Sequence, residues 1–401
     1  MVEKEEKQNG KYQYGQNDIL GKGSFGVVYK GTYIDDKGQK KVVALKEIPE
    51  HILKDHSQMG NLYNEISISS KINEENKDDP FSSSENVVKF FDITNLNDKT
   101  FLVYEYCNGG DIRRYLKFFR RFDEKIVQNI ISQLLKGLKF LHNKKIVHHD
   151  IKPENILVEL CVEGETEKEK NDKIKMIMEK TSARNRGTND PNALKNYVLK
   201  VLDQSKFKIT DFGLSKFKKE TNKVEISGSP LYLDPNSLKA EAEIDTVENE
   251  KVDIWAVGVL AYELFFYNCP FQPFPPSINR LKESLKKGEY DIDMKNCKLV
   301  SKQFLSFLNA CLQEEQKIRP LTDELLNHEF IAREPEYFKY MSYDDNFENY
   351  KPRYKIEKKI VNYKKAKYPK GDYLKTEGKI TMNIRDNRMI NALFDTKEEV
   401  E

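Results

Sequence analysis

IVHHDIKPENIL, residues 146–157, sets Asp150, Lys152 and Asn155 within six positions of one another, directly behind the doubled histidine His148-His149. Further on, KITDFGL (208–214) supplies Asp211 between strand-like text and a glycine. Asn155 and Asp211 offer hard oxygen ligands of the kind Mg²⁺ accepts while it bridges phosphates. Asp150 is placed to take the proton of an attacking hydroxyl.

LGKGSFGVV (20–28) has the spacing G-x-G-x-x-G, which dinucleotide-binding folds share. In those folds the loop opens a helix. Here VVYKGTYI (27–34) follows, which is strand text, so the loop reads as a hairpin. Glycines let backbone N–H groups approach phosphates, and Phe25 at the tip is positioned to shield them from water. An ordinary glycine hairpin would carry the same spacing. VALK (43–46) ends in Lys46 on the next strand. A lysine is a mobile point charge suited to phosphate oxygens, and it needs an acidic partner to fix it; Glu65, on the one helix between the strands, is the candidate. Either residue alone reads equally well as a solvated surface charge.

The first hundred residues are β-rich, with strand text at 27–34, 40–48, 87–93 and 100–106. One helix, over about residues 59–72, interrupts them; Leu62, Ile66 and Ile68 form its apolar stripe, and Glu65 is expected on a different face. Beyond Gly109-Gly110 the period turns helical, with apolar residues at three- and four-residue spacing over 123–142, and further helices at 252–267, 301–311 and 322–326. The change of period marks a lobe boundary.

The 401 residues hold 67 basic against 65 acidic side chains, so the chain has no global bias toward nucleic acid. Five scattered cysteines with no C-x-x-C pair indicate a reducing compartment, hence the cytoplasm. The longest apolar run, IWAVGVLAYELFF (254–266), contains Glu263 and is too short to span a bilayer. A soluble, intracellular protein is expected.

The motifs GKGSFGVV, VALK, a helical glutamate, HHDIKPEN, DFG, GSPLYLDPN, DIWAVG and Arg319 stand in the order found in eukaryotic protein kinases, and the chain resembles that family over residues 12–331. The resemblance implies an α+β, bilobal fold, with a small β-rich N-lobe to about residue 107 and a larger helical C-lobe over 108–331. It implies ATP and Mg²⁺ as ligands and protein substrates. Leu20, Gly21, Lys22, Gly23, Ser24, Phe25 and Gly26 would form the loop over the phosphates. Lys46 would hold the α- and β-phosphates and pair with Glu65. The backbone of Glu105 and Cys107 would bind adenine, with Tyr104 an unusually bulky residue behind it. Val28, Ala44 and Leu157 would enclose the purine, and Asp111 would reach the ribose. Asp150 would be the catalytic base, Lys152 would steady the transferred phosphoryl group, and Asn155 and Asp211 would bind Mg²⁺. Asp253 would hold the catalytic loop from beneath, and His148 would pack under Phe212. Lys152 and GSP (228–230) resemble serine/threonine rather than tyrosine kinases, and NCPFQ (268–272) resembles the autophagy-type or calmodulin-dependent-type subgroups.

Three departures from the family pattern stand out. His149 replaces an arginine that normally pairs with an activation-loop phosphate; an imidazole mostly neutral at cellular pH does this poorly, so activity independent of phosphorylation at Thr221 or Ser227 is expected. DPN (234–236) puts Asn236 where the family has a glutamate paired to Arg319, and the acids within 248–250 are the expected replacement. Ser69 stands on the Glu65 helix where the family usually buries an aliphatic side chain.

Asn155 and Asp211 lie 56 residues apart, more than a hairpin needs, and the excess falls in a charged segment at about 159–205. That segment reads as a surface loop with one helix near 172–180, either a partner site or a tolerated excursion. Residues 1–11 read as a disordered N-terminus and 332–401 as a tyrosine-rich tail. Within the tail, 351–370 has nine basic residues against one acid, which suits an anionic membrane surface, an acidic polypeptide such as a tubulin tail, or nucleic acid as well as plain solvation. Oligomeric state is not legible. A kinase-fold scaffold acting through the insertion and tail is the alternative to an active enzyme.

Overall fold

The computed structural model describes residues 12–23, 26–54, 56–73, 84–182, 192–218, 228–239, 250–268, 270–272, 280, 283–284, 291–292 and 300–332. The N-terminus 1–11, Ser24, Phe25, Thr221, Ser227, Glu248 and the tail from 333 lie outside the described residues.

Five antiparallel strands form the first sheet: β1 (Tyr12–Gly23), β2 (Gly26–Ile34), β3 (Lys40–Glu47), β4 (Phe90–Leu96) and β5 (Lys99–Glu105), ordered β1-β2-β3-β5-β4. The glycine loop joins β1 to β2 as a hairpin, with Gly23 opposite Gly26. β1 has no strand signature in the sequence, because YQYGQNDIL lacks a clean alternation of apolar and polar residues. Between β3 and β4 run α1 (Glu50–Lys54) and α2 (His56–Asn73). Leu62, Glu65, Ile66 and Ser69 on α2 are all buried. Their spacing of three and four residues places them on one helical face, so Glu65 lies on the inward stripe rather than off it.

The second lobe follows α3 (Ile112–Phe119) and is built around two long helices, Glu124–Asn143 and Lys251–Phe266. α4 (Glu124–Asn143) begins at Asp123, whose carboxylate accepts the Ile126 N–H at 2.9 Å. It buries Ile126, Val127, Ile130, Ile131, Leu134, Leu135, Leu138 and Leu141, each worth about 1.5–3 kcal/mol in transfer from water. Short strands follow: β6 (Ile146–Val147) and β7 (Ile156–Glu159).

The charged segment after β7 is not one loop. It folds into α5 (Glu167–Lys180), capped by the Thr166 hydroxyl, and α6 (Asn192–Gln204). Val198, Val201 and Leu202 of α6 join the main core, and Leu194 packs against it. That spacing is present in the sequence, diluted by the charges around it. α6 is tied to α4 by Lys125–Asp203 at 2.5 Å and by the Asn129 amide donating to the Asp203 carbonyl at 2.8 Å.

The chain then returns as β8 (Lys206–Ile209), which pairs antiparallel with β7 in the register Ile156 to Ile209 and Glu159 to Lys206. The insertion is therefore an excursion between two paired strands. β9 (Lys216–Phe217) pairs with β6. α7 (Pro235–Lys239) precedes α8 (Lys251–Phe266), which is mostly apolar and buried on every side, with Lys251, Asp253 and Glu263 among its buried residues. Trp255 of α8 stacks on Phe271, 6.0 Å between centroids and 10° between planes. Helices Lys302–Cys311, Thr322–Leu326 and Glu329–Ala332 complete the lobe. This is the expected α+β bilobal fold. Among the described residues, no helix is long and apolar enough to cross a membrane. Cys107, Cys161 and Cys311 are free thiols.

Candidate functional site

Strand pairing assembles the first half of the site. β3 runs beside β2 and β5, with Val28 opposite Lys46 and Ala44 opposite Tyr104. A period of two puts Ala44 and Lys46 on one face. α2 crosses that face, and Lys46 Nζ stands 2.5 Å from Glu65 Oε1 and 3.6 Å from Asp211 Oδ1. Burial works against the Lys46 ammonium, but the two carboxylates outweigh it and hold its pKa above the ordinary value. Tyr104 brings a contact the sequence does not disclose: its hydroxyl donates to the same Glu65 oxygen at 3.1 Å.

After β5 the chain is held to β7 by Gly109 N–H to Val158 O and Val158 N–H to Gly110 O, both 2.8 Å. Asp111 bridges to Leu157, which brings the expected ribose and purine residues side by side. The Asp111 carboxylate also caps α3, accepting the Arg114 N–H at 3.0 Å. Glu105 is fixed through its side chain by Lys208 at 2.6 Å. Burial pushes the Cys107 thiol up to about 12, so it stays protonated. Leu20 is exposed, and Gly21 and Lys22 lie on β1 beside it.

The second half of the site hangs on Asp253 of α8. Its carboxylate accepts the backbone N–H groups of His148 (2.9 Å) and His149 (2.8 Å) and faces His142 Nε2 at 2.9 Å. Burial opposes this charge, and the surrounding donors overcome it, keeping the Asp253 pKa below normal. His148 lies edge-on to Phe212 at 5.6 Å, as expected. Its Nδ1 accepts the Asp150 N–H at 3.2 Å while Nε2 faces the Thr210 carbonyl at 3.1 Å, which selects the neutral Nε2–H tautomer.

On the Asp150 carboxylate, Oδ2 accepts from Lys152 Nζ at 2.5 Å and from Asn155 Nδ2 at 3.0 Å. Oδ1 accepts from the Ser229 N–H at 3.0 Å and the Ser229 hydroxyl at 2.8 Å. Lys152 also donates to Ser229 Oγ at 2.9 Å. Sequence reasoning uses Ser229 only as part of a class signature; the residue touches Asp150 itself. Gly228 allows this approach: its φ is +121°, and a Cβ there would meet the His149 carbonyl oxygen at 2.4 Å.

β7–β8 pairing closes the 56-residue gap, with the Thr210 N–H donating to the Asn155 carbonyl at 3.0 Å. Asp211 follows in the left-handed region at φ 67°, a conformation that costs a non-glycine residue about 1–3 kcal/mol and is a mark of functional sites. Its Oδ1 is buried without a hydrogen-bond donor. Burial raises its pKa, and Lys46 foremost among nearby cations overrides that, keeping the carboxylate charged. A carboxylate oxygen that has Lys46 at 3.6 Å but no hydrogen bond, beside an asparagine whose N–H groups are turned to Asp150, suits Mg²⁺, which takes one or two protein oxygens and completes its shell from phosphate and water.

His149 holds φ 65° and is half-buried, and burial lowers its pKa to about 4 despite Asp253. The acid expected within 248–250 to replace the family's glutamate is instead Asp234, which pairs with Arg319 at 2.9 Å. Glu250 pairs with Lys218 at 3.0 Å, and Asn236 donates to Asp234 at 3.3 Å.

A model of the protein kinase domain matches residues 14–331. The chain is 26% identical over 328 residues to serine/threonine-protein kinase ULK1 of Homo sapiens, covering 81% of this chain and 26% of that protein. It is 28% identical over 316 residues to serine/threonine-protein kinase ULK3 of Xenopus laevis, covering 79% and 54%. It is 26% identical over 285 residues to NUAK family SNF1-like kinase 1 of Homo sapiens, covering 71% and 34%. The chain thus spans between about a quarter and about half the length of these relatives.

Proposed function

The chain belongs to the protein kinase domain family, and from that membership we propose that it transfers the terminal phosphoryl group of ATP to serine and threonine side chains of proteins. One observation carries the reading. Asp150 Oδ1 already accepts a hydrogen bond from a serine hydroxyl at 2.8 Å, the same donor a substrate would present, while Lys152 and Asn155 fix the other oxygen.

In this reading Asp150 orients the acceptor hydroxyl and takes its proton as the new P–O bond forms. Lys152 offsets charge on the transferred group. Lys46, fixed by Glu65, holds the phosphates. Asn155 and Asp211 would hold Mg²⁺, which neutralises charge on the phosphates when bound. Lys46, Asp150, Lys152 and Asn155 are already held by hydrogen bonds, and an acceptor hydroxyl would take the place on Asp150 Oδ1 that Ser229 fills.

Activity without a phosphorylated activation loop belongs to the same proposal. The imidazole of His149 is neutral at cellular pH and its backbone is committed to Asp253, so it offers a phosphate no guanidinium-like fork. The basic stretch 351–370 remains proposed as a docking strip for an acidic protein or anionic membrane, and the cytoplasm as the location.

The test is a set of peptides differing only in acceptor residue, incubated with Mg²⁺ and γ-labelled ATP. Label on serine and threonine peptides is expected; label on tyrosine peptides alone overturns the class.

A further inference from the structure

Two departures from the family pattern, Tyr104 and Ser69, meet at one point behind the Lys46–Glu65 pair. Tyr104 lies on β5 directly opposite Ala44 of β3, and its ring packs against Phe90 with centroids 5.3 Å apart, which fixes the direction of its hydroxyl. That hydroxyl donates to Glu65 Oε1 at 3.1 Å, the oxygen that also receives Lys46 Nζ at 2.5 Å. One carboxylate oxygen is therefore held from β3 and from β5 at once.

Room for the phenol comes from α2. Ser69 is one turn beyond Glu65 on the same helical face and is buried to 1% exposure. Its hydroxyl faces the Tyr104 phenol, one helical turn from the carboxylate that the phenol touches. A branched aliphatic side chain at 69 would project into the space beside the ring. The small residue on the helix and the large one on the strand are complementary in volume.

We propose that Tyr104 is a positioning residue of the catalytic centre: its hydroxyl, seated in the space left by Ser69, ties α2 to the sheet so that Glu65 holds Lys46 ready for phosphate without help from the activation loop. This rests on the reading of Lys46 and Glu65 as the phosphate-positioning pair. Burial first, and the Glu65 charge second, raise the phenol's pKa well above its ordinary value, so the proton stays on Tyr104 and the hydroxyl is a permanent donor. The role differs from lining the purine pocket, because it depends on the hydroxyl and acts through Glu65. A phenylalanine would fill the same volume and lose it.

The test is a double-mutant cycle on the full chain with Tyr104→Phe, Glu65→Gln and the pair, reading kcat and the KM for ATP. A hydrogen bond to a charged group predicts that Tyr104→Phe lowers kcat about tenfold. Because Tyr104 acts through Glu65, the same change in the Glu65→Gln background should move kcat by less than about twofold. Ser69→Leu, which would crowd the phenol out of its place beside Glu65, should cost as much as Tyr104→Phe. Hydrogen exchange of the α2 amides reads the tie without catalysis: they should exchange faster in Tyr104→Phe than in wild type. Additive losses, an unchanged kcat in Tyr104→Phe, or unchanged α2 exchange overturns the proposal. A wild type that transfers no phosphate, with α2 loosened in the variant, removes the kinase reading and leaves the tie standing.

Discussion

Arg319 Nη2 stands 2.9 Å from Asp234 Oδ1, and neither side chain is reached by solvent. The guanidinium also donates to the Lys251 carbonyl at 2.6 Å and the Gln313 carbonyl at 2.7 Å, and lies 5.1 Å from the Trp255 ring centroid. Gln316 donates to the second Asp234 oxygen. The acid that the family places after the proline stands here before it, two residues upstream of Asn236, and meets the same cation.

Removing one partner would strand a buried charge. Asp234→Asn is expected to destabilise the chain by about 3–5 kcal/mol, whereas Asn236→Ala should cost under about 1 kcal/mol. Urea unfolding of the two variants checks this, and equal midpoints would show that Asp234 is not the partner that matters.

His149 gives a pH signature. Its folded pKa of about 4 lies below the usual 6.5, so the unfolded chain binds this proton first as pH falls. The stability it contributes is complete above pH 6.5 and is lost on the way down to pH 4. Relative to wild type, His149→Gln should gain about 1–3 kcal/mol between neutral pH and the acid limb. Denaturant titrations of both proteins across that range measure the difference, and parallel curves would contradict it.

With no arginine at 149 to read a phosphate, Thr221→Ala combined with Ser227→Ala should keep phosphoryl transfer within about threefold of wild type. Initial rates at saturating ATP decide; a collapse of activity sinks phosphorylation-independence.

The helices of the insertion are part of the core. Leu202→Ala should therefore cost about 2–5 kcal/mol, as for a buried leucine, rather than the near-zero cost of a surface loop. A thermal midpoint matching wild type would place α6 outside the folding unit.

Much of the site is legible in the sequence because phosphate chemistry demands particular residues in a particular order along the chain. Lys46, Asp150, Asn155 and Asp211 are readable from motif text, and the meeting of Asn155 with Asp211 is a consequence of β7–β8 pairing that spacing alone can only suggest. What stays hidden are contacts between residues distant in sequence. Glu65 falls on the wrong face in a reading by periodicity because a buried carboxylate breaks the apolar stripe; only Lys46 and Tyr104 explain its burial. Asp234 escapes notice because the altered position is Asn236, and a shift of two residues upstream still reaches Arg319. In α6, Leu194, Val198, Val201 and Leu202 carry a helical period, masked by the lysines interleaved with them. Ser229 has no signal beyond its motif, since its contact with Asp150 spans 79 residues.

The most direct measurement of the account is the single-turnover rate of phosphoryl transfer to a serine peptide at saturating Mg²⁺ and ATP, for wild type and Asp150→Ala. Loss of a positioned base predicts a fall of about 10²–10⁴-fold with nucleotide binding retained. Equal rates in the two proteins would contradict the account and leave a kinase-fold scaffold acting through its insertion and tail.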